Sequence, residues 1–115
     1  MKARIEIDIL YVISVLGGDK CAVERLLDVF VQNHADDAYE LSNLLRNKNM
    51  EEALRKIHSL KGIAGHLGSV KLKMIADQIE MDMKNEFLVS EIKLVELQEI
   101  LSATVESAQN YLISK

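Results

Sequence analysis

The sequence predicts an all-α protein, an antiparallel up-down-up-down four-helix bundle with a short extra helix at its N terminus. Apolar residues recur every three or four positions along most of the 115-residue chain, which is the period of an amphipathic helix. The chain has no proline and only 4% aromatic residues, whereas a β domain would be richer in aromatic and turn-forming residues. Short polar connections favour antiparallel neighbours within a single domain spanning residues 1–115.

The first predicted element is a helix over residues 3–16, lying across one end of the bundle. Its apolar positions follow a helical spacing. Three isoleucines at its start also alternate as in a strand, but a lone strand would have no partner. Gly17-Gly18 ends this helix, and Asp19 is placed to cap the next one.

Residues 20–47 are predicted to form one long helix, since a single apolar stripe continues over the whole segment. His34 lies in that stripe. A histidine in such a position is more often a packed side chain than a ligand. In the alternative that we keep open, His34 lies near a docking surface and contacts a partner.

Three further helical segments follow the polar turn at Asn47-Lys48-Asn49. The first ends at Gly68, because glycine is common just after the C terminus of a helix. The second covers residues 70–85. After a loop over residues 85–89, Ser90 and Glu91 open the last helix.

The first of these three segments, which ends at Gly68, has two distinct faces around His58. At roughly 100° per residue, one face is a continuous apolar stripe, made of Ala53, Ile57, Leu60, Ala64 and Leu67. The other face, within about 60° of His58, carries Lys61, Gly62 and Gly65, with Arg55 one turn earlier. The pattern predicts a solvent-exposed histidine with a cation and bare backbone beside it.

This combination is suited to phosphoryl transfer. Each interior glycine costs a helix about 1 kcal/mol relative to alanine, so Gly62 and Gly65 indicate that a large partner approaches the backbone there. A neutral imidazole is nucleophilic at cellular pH. Lys61 is expected to be a mobile charge that offsets an anion carried on the ring of His58.

The run His58-Ser59-Leu60-Lys61-Gly62, with Leu67-Gly68 four residues later, resembles the H-x-L-K-G-x(4)-L-G signature of histidine-containing phosphotransfer (HPt) domains. The similarity extends to Leu16-Gly17-Gly18-Asp19 and to Leu26-Leu27-Asp28-Val29-Phe30 upstream. HPt domains are four-helix bundles that carry phosphoryl groups between receiver-domain aspartates in phosphorelays.

The resemblance implies that His58 accepts phosphate through Nε2 from a receiver domain and passes it to a response regulator. Lys61 would stabilise the phosphoryl charge, and Arg55, Gly62, Gly65 and His34 would contribute to docking. It also implies that Mg²⁺ is supplied by the receiver and that this chain binds no cofactor. The chain would be either a stand-alone carrier or the C-terminal module of a hybrid sensor kinase. A phosphorylation-dead adaptor that only docks a receiver is the alternative.

The charge distribution favours an acidic partner. The chain has a net charge of −4, which argues against nucleic-acid binding. Residues 46–73 nevertheless carry seven basic and two acidic side chains, a net charge of +5, and the rest of the chain carries −9. A positive zone around His58 suits the carboxylate-lined site that the resemblance implies in a receiver.

Other classes of function are less well supported by the sequence. His58 and His66 would lie about 12 Å apart along one helix, too far to share a metal ion, and no nucleotide-binding loop is present. The chain is therefore expected to be a carrier without enzymatic activity of its own. No apolar run is long enough for a membrane span, and the single Cys21 fits a reducing cytoplasm, although a parent protein could be membrane-anchored. A monomer is expected.

Overall fold

The computed structural model describes residues 6–114, and within that range it contains six α-helices and no β-strand. The helices are α1 (Ile9–Val15), α2 (Lys20–His34), α3 (Asp37–Arg46), α4 (Met50–His66), α5 (Val70–Lys84) and α6 (Glu91–Ser114). The predicted all-α class is confirmed.

Helix α1 is shorter than the helix predicted over residues 3–16. Residues 3–5 lie outside the described residues, and residues 6–8 are not helical. The helix begins after Asp8, whose carboxylate accepts a hydrogen bond from the Tyr11 N–H at 3.0 Å. Asp19 caps α2 in the same way by accepting from the Ala22 N–H at 3.1 Å, as the sequence predicted.

The single helix predicted over residues 20–47 was wrong, because Ala35 and Asp36 separate α2 from α3. Asp36, with φ −99° and ψ 9°, departs from helical geometry. Beside this break the Asp37 side chain is buried, and its carboxylate accepts a hydrogen bond from His34 Nδ1 at 2.7 Å. The apolar stripe continues across the break, since both helices bury residues of that stripe, so the periodicity gave no sign of it.

The turn between α4 and α5 requires glycine at position 68. Gly68 has φ +63°, a left-handed conformation that L side chains rarely adopt. In addition, a Cβ at this position would lie 2.8 Å from the Asp8 Cβ. The N-terminal segment packs here, because the Asp8 N–H donates to the Leu67 carbonyl at 3.1 Å.

The helices pack so that one face of α4 enters the core and the opposite face does not. Helix α4 contacts α3 and α5, α6 contacts α2, α3 and α5, and α1 contacts α2. All five residues of the predicted α4 stripe are at most 1% exposed. They pack among a core whose largest members are Phe30, Leu27, Leu41, Leu72, Ile79, Leu97 and Leu101.

The last helix begins as predicted. The Ser90 hydroxyl accepts a hydrogen bond from the Lys93 N–H at 3.2 Å, which caps α6. None of the helices between residues 6 and 114 combines the length and the apolar character that crossing a membrane requires.

Candidate functional site

His58 lies on the outer face of α4, with 69% of its side chain exposed. Gly62, one turn further along, has no atom within 4 Å of the place where a Cβ would stand. At Gly65 a Cβ would meet only the Lys73 side chain, at 4.0 Å. Neither glycine seats a neighbouring helix, so the backbone beside the imidazole is open to an approaching molecule.

Glu80 of α5 holds the imidazole ring in place. Its carboxylate Oε2 lies 2.8 Å from His58 Nδ1, although the Glu80 side chain is only 3% exposed. Burial by itself would raise the pKa of Glu80. Hydrogen bonds from Lys61 and His58, together with the charges of Lys61 and Lys84, outweigh burial and lower that pKa to about 2. Glu80 is therefore ionised at neutral pH.

The ionised Glu80 decides which ring nitrogen is available for chemistry. A carboxylate can only accept a hydrogen bond, so His58 Nδ1 must carry the proton that it donates to Glu80. In the neutral ring the lone pair then belongs to Nε2. The pairing assigns the nucleophilic position to the nitrogen that does not face Glu80.

Lys61 is held by two carboxylates rather than extended into solvent. Its Nζ lies 2.6 Å from Glu80 Oε1 and 3.2 Å from Asp77 Oδ1, and 25% of the side chain is exposed. The hydrogen bonds to Glu80 and Asp77 raise the pKa of Lys61, so it stays charged. The prediction that Lys61 is a mobile charge was therefore wrong, because its ammonium group is fixed by these two carboxylates. Its positive charge also compensates the negative charge of the buried Glu80.

The polar groups of α5 meet those of α4 in reverse order along the two helices. Gly65 lies opposite Lys73, since a Cβ at position 65 would stand 4.0 Å from the lysine side chain. Lys61 pairs with Asp77, and His58 pairs with Glu80. Lys84 adds a further contact to Glu80, at 3.4 Å between Nζ and Oε2. None of these α5 residues is among the site residues predicted from the sequence. Their spacing of three and four residues was the only signal that could have indicated a shared face.

A comparison of the sequence with protein families shows the family to which this chain belongs. The family model described as Hpt domain matches residues 25–109, which extend from within α2 to within α6 and include His58 and Glu80. The chain belongs to the Hpt domain family. Hpt domains are carriers in two-component phosphorelay signalling and interact with receiver domains. No curated protein and no solved structure matched this chain.

Arg55 of this Hpt domain has acidic partners on its own helix. Its guanidinium lies 2.6 Å from Glu52 Oε2 and 3.8 Å from Glu51 Oε2, and all three side chains are largely exposed. Exposed pairs of this kind contribute little to stability. They nevertheless offset part of the positive charge that Arg55 would present to a partner.

His34 is largely covered and lies beside the break between α2 and α3. Its side chain is 14% exposed, its Nδ1 is bound to Asp37, and its ring stacks on Phe30 with the centroids 6.1 Å apart. Asp37 also lies 3.5 Å from Lys56 Nζ of α4. The role of His34 in docking stays a prediction.

The chemistry available at the site is that of one nucleophile and fixed charges. Among the described residues, no group of three or more histidine, cysteine, aspartate and glutamate side chains is placed to hold a metal ion. Nε2 of His58 provides the lone pair. Lys61 and Lys84 provide positive charge at Glu80, the carboxylate that His58 Nδ1 contacts.

Proposed function

We propose that this Hpt domain carries a phosphoryl group on Nε2 of His58, taking it from the aspartyl phosphate of one receiver domain and passing it to the aspartate of a response regulator. The observation that carries the proposal is the pairing of an exposed imidazole with the ionised Glu80 carboxylate through Nδ1. This pairing leaves Nε2 as the nucleophile on the open side of α4.

In the proposed step the Nε2 lone pair attacks phosphorus in line with the aspartyl oxygen that leaves. The N–P bond forms as the P–O bond breaks, and the aspartate returns to its carboxylate form. Nδ1 keeps its proton, and Glu80 stabilises the positive charge that the ring acquires. The reverse reaction with a second receiver uses the same groups, and the receiver supplies Mg²⁺.

The residues around His58 have separate roles in this proposal. Gly62 and Gly65 let the receiver's loops approach the backbone of α4, because no side chain of either residue stands in the way. Lys61 of α4 and Lys84 of α5, which both contact Glu80, offset the charge of the phosphoryl oxygens. Arg55 and His34 are proposed only as docking residues.

We also propose the antiparallel up-down-up-down bundle topology for the long helices, with α2 and α3 acting together as one arm. The short connection between α4 and α5 supports it. The reverse order of the contacts between these two helices supports it as well. In this arrangement the phosphoacceptor face of α4 is flanked by α5 and stays outside the core.

The test is phosphoryl transfer from a panel of purified receiver domains charged with radiolabelled acetyl phosphate. We expect the wild-type chain to take up label that is lost in acid and stable in base. His58→Gln should fold normally and take up none. The matched control is His66→Gln, which removes another exposed histidine of α4 and should retain transfer.

Two outcomes would contradict the proposal. Label on His58→Gln at the wild-type level would place the phosphoryl group elsewhere, for example on His34. Receivers that bind the wild-type chain and never transfer label to it would identify an adaptor that only docks.

A further inference from the structure

A cavity of about 290 Å³ lies beside the phosphoacceptor face, where α1, the end of α4 and the start of α5 meet. Its lining includes Tyr11, Gly65, Ser69 and Lys73. Gly65 is two turns of α4 from His58, or about 10 Å along the helix. A protein that docks over His58 with an interface of ordinary size, about 800 Å² on each partner, would also cover this cavity.

Ser69 has a hydroxyl without a partner at this cavity. It is the N-cap residue of α5 but makes no side-chain capping bond. The residue is 2% exposed, and its Oγ is a buried polar atom without a hydrogen-bond partner. Buried hydroxyls are nearly always hydrogen-bonded in folded proteins, so this one points to a group that the isolated chain does not provide.

The start of α5 and Lys73 make the cavity favourable for an anion. The first N–H groups of a helix have no hydrogen-bond partner within the helix and lie at the positive end of its dipole. The first turn of α5 contains no acidic side chain that could accept hydrogen bonds from these N–H groups. Lys73 is exposed and forms no ion pair with any residue between 6 and 114. By contrast, Lys61, Lys84 and Arg55 all contact carboxylates.

One group at the cavity opposes an anion. Asp8 lines it, and its carboxylate accepts the capping hydrogen bond from the Tyr11 N–H. The negative charge of Asp8 should keep the affinity for a free anion low. The cavity is therefore better suited to a carboxylate delivered by a docked protein, whose aliphatic stem can contact the exposed Tyr11 and Val70.

We propose that this cavity is a carboxylate-binding site within the docking surface and receives an aspartate or glutamate side chain of the receiver domain. Lys73 Nζ, Ser69 Oγ and the first N–H groups of α5 would hold that carboxylate. The inference rests on the proposed function. It adds that the receiver must present a carboxylate about 10 Å from the reacting histidine.

The first test uses acetate as the probe and does not depend on phosphotransfer. Amide shifts at the start of α5 are followed by NMR as sodium acetate replaces sodium chloride at constant ionic strength. We expect the shifts to saturate at acetate concentrations in the millimolar range.

Lys73→Gln should weaken acetate binding about fivefold. Asp8→Asn, which keeps a capping side chain, should strengthen it. The control Lys71→Gln changes the same charge away from the cavity and should have no effect. Linear shifts, or equal losses in both lysine variants, would overturn the site.

The second test uses a receiver domain that exchanges phosphoryl groups with His58. Its dissociation constant is measured on a His58→Gln background, so that docking is separated from chemistry. We expect Lys73→Glu to weaken docking about tenfold or more, because attraction to the carboxylate becomes repulsion, and Lys71→Glu to change it less than about twofold. Equal effects would overturn the inference and leave phosphotransfer intact. If no receiver exchanges phosphoryl groups with His58, the proposed function fails and the acetate series alone decides whether the cavity binds a carboxylate.

Discussion

At the scale of single residues, Glu80 gives His58 its chemical character. An exposed histidine without such a partner would interconvert between two tautomers and present either nitrogen. Here the buried carboxylate accepts a hydrogen bond from the Nδ1–H group, and hydrogen bonds from Lys61 and His58 keep it ionised. Glu80 thereby orients the ring and provides negative charge next to the imidazole that we propose is phosphorylated.

Glu80→Gln should reveal the contribution of this carboxylate to stability through its pH dependence. The folded-state pKa of about 2 lies below the ordinary value of 4.5. The stabilisation is therefore complete above pH 4.5 and is lost as the pH falls towards 2. Above pH 4.5 we expect the variant to be less stable by on the order of 2 to 3 kcal/mol. Chemical unfolding measured between pH 7 and pH 2 checks this, with the exposed Glu106→Gln as control. A constant difference over that range would contradict the assignment.

Sequence reasoning could predict His58 and its glycines but not Glu80. The positions of Gly62 and Gly65 relative to His58 follow from the angle per residue within one helix. Glu80 is 22 residues away on another helix, and which carboxylate of α5 meets the ring depends on the register between α4 and α5. That register is set by core packing, which a hydrophobic period does not specify.

At the scale of the helix, α4 is destabilised by a glycine on its outer face. Gly62 faces open space, so nothing in the packing of the chain requires a glycine there. A glycine in a helix interior is less favourable than almost any other residue. We propose that this bare surface serves a partner outside the isolated chain, as docking of a receiver would require.

Replacing Gly62 should therefore change stability and docking in opposite directions. Gly62→Ala and Gly62→Gln should each raise the free energy of unfolding by about 0.5 to 1 kcal/mol. Receiver affinity and transfer rate should fall slightly for alanine and strongly for glutamine, because only the longer side chain covers the approach to His58. Urea unfolding and transfer kinetics on the same samples provide the comparison. A Gly62→Gln variant that transfers at the wild-type rate would show that the open face has no such purpose.

Some helix boundaries can be predicted from side chains close to them in the sequence, and others cannot. Asp19 and Ser90 act as the caps that the sequence predicted, since a cap is decided by side chains within three residues of it. The break at Ala35 and Asp36 was missed because the apolar stripe continues across it from α2 into α3. Ser69 is the N-cap residue of α5, but its side chain makes no capping hydrogen bond.

At the scale of the whole molecule, the folded chain neutralises much of the positive zone around His58. The net charge of +5 over residues 46–73 suggests a strong field. In the structure, however, carboxylates from outside this segment pair with its lysines. Lys56 is paired with Glu40, and Lys61 with Asp77 and Glu80. We therefore propose that recognition of an acidic partner depends on specific cations such as Lys73 rather than on the total charge.

The most direct measurement is the position of the phosphoryl group on the imidazole. After transfer from a charged receiver, NMR of the ¹⁵N-labelled ring and of ³¹P distinguishes substitution at Nε2 from substitution at Nδ1. We expect a single phosphohistidine at His58, substituted at Nε2, with the Nδ1 proton retained in its hydrogen bond to Glu80. Phosphate on Nδ1, or on a different histidine, would contradict the assignment of this site.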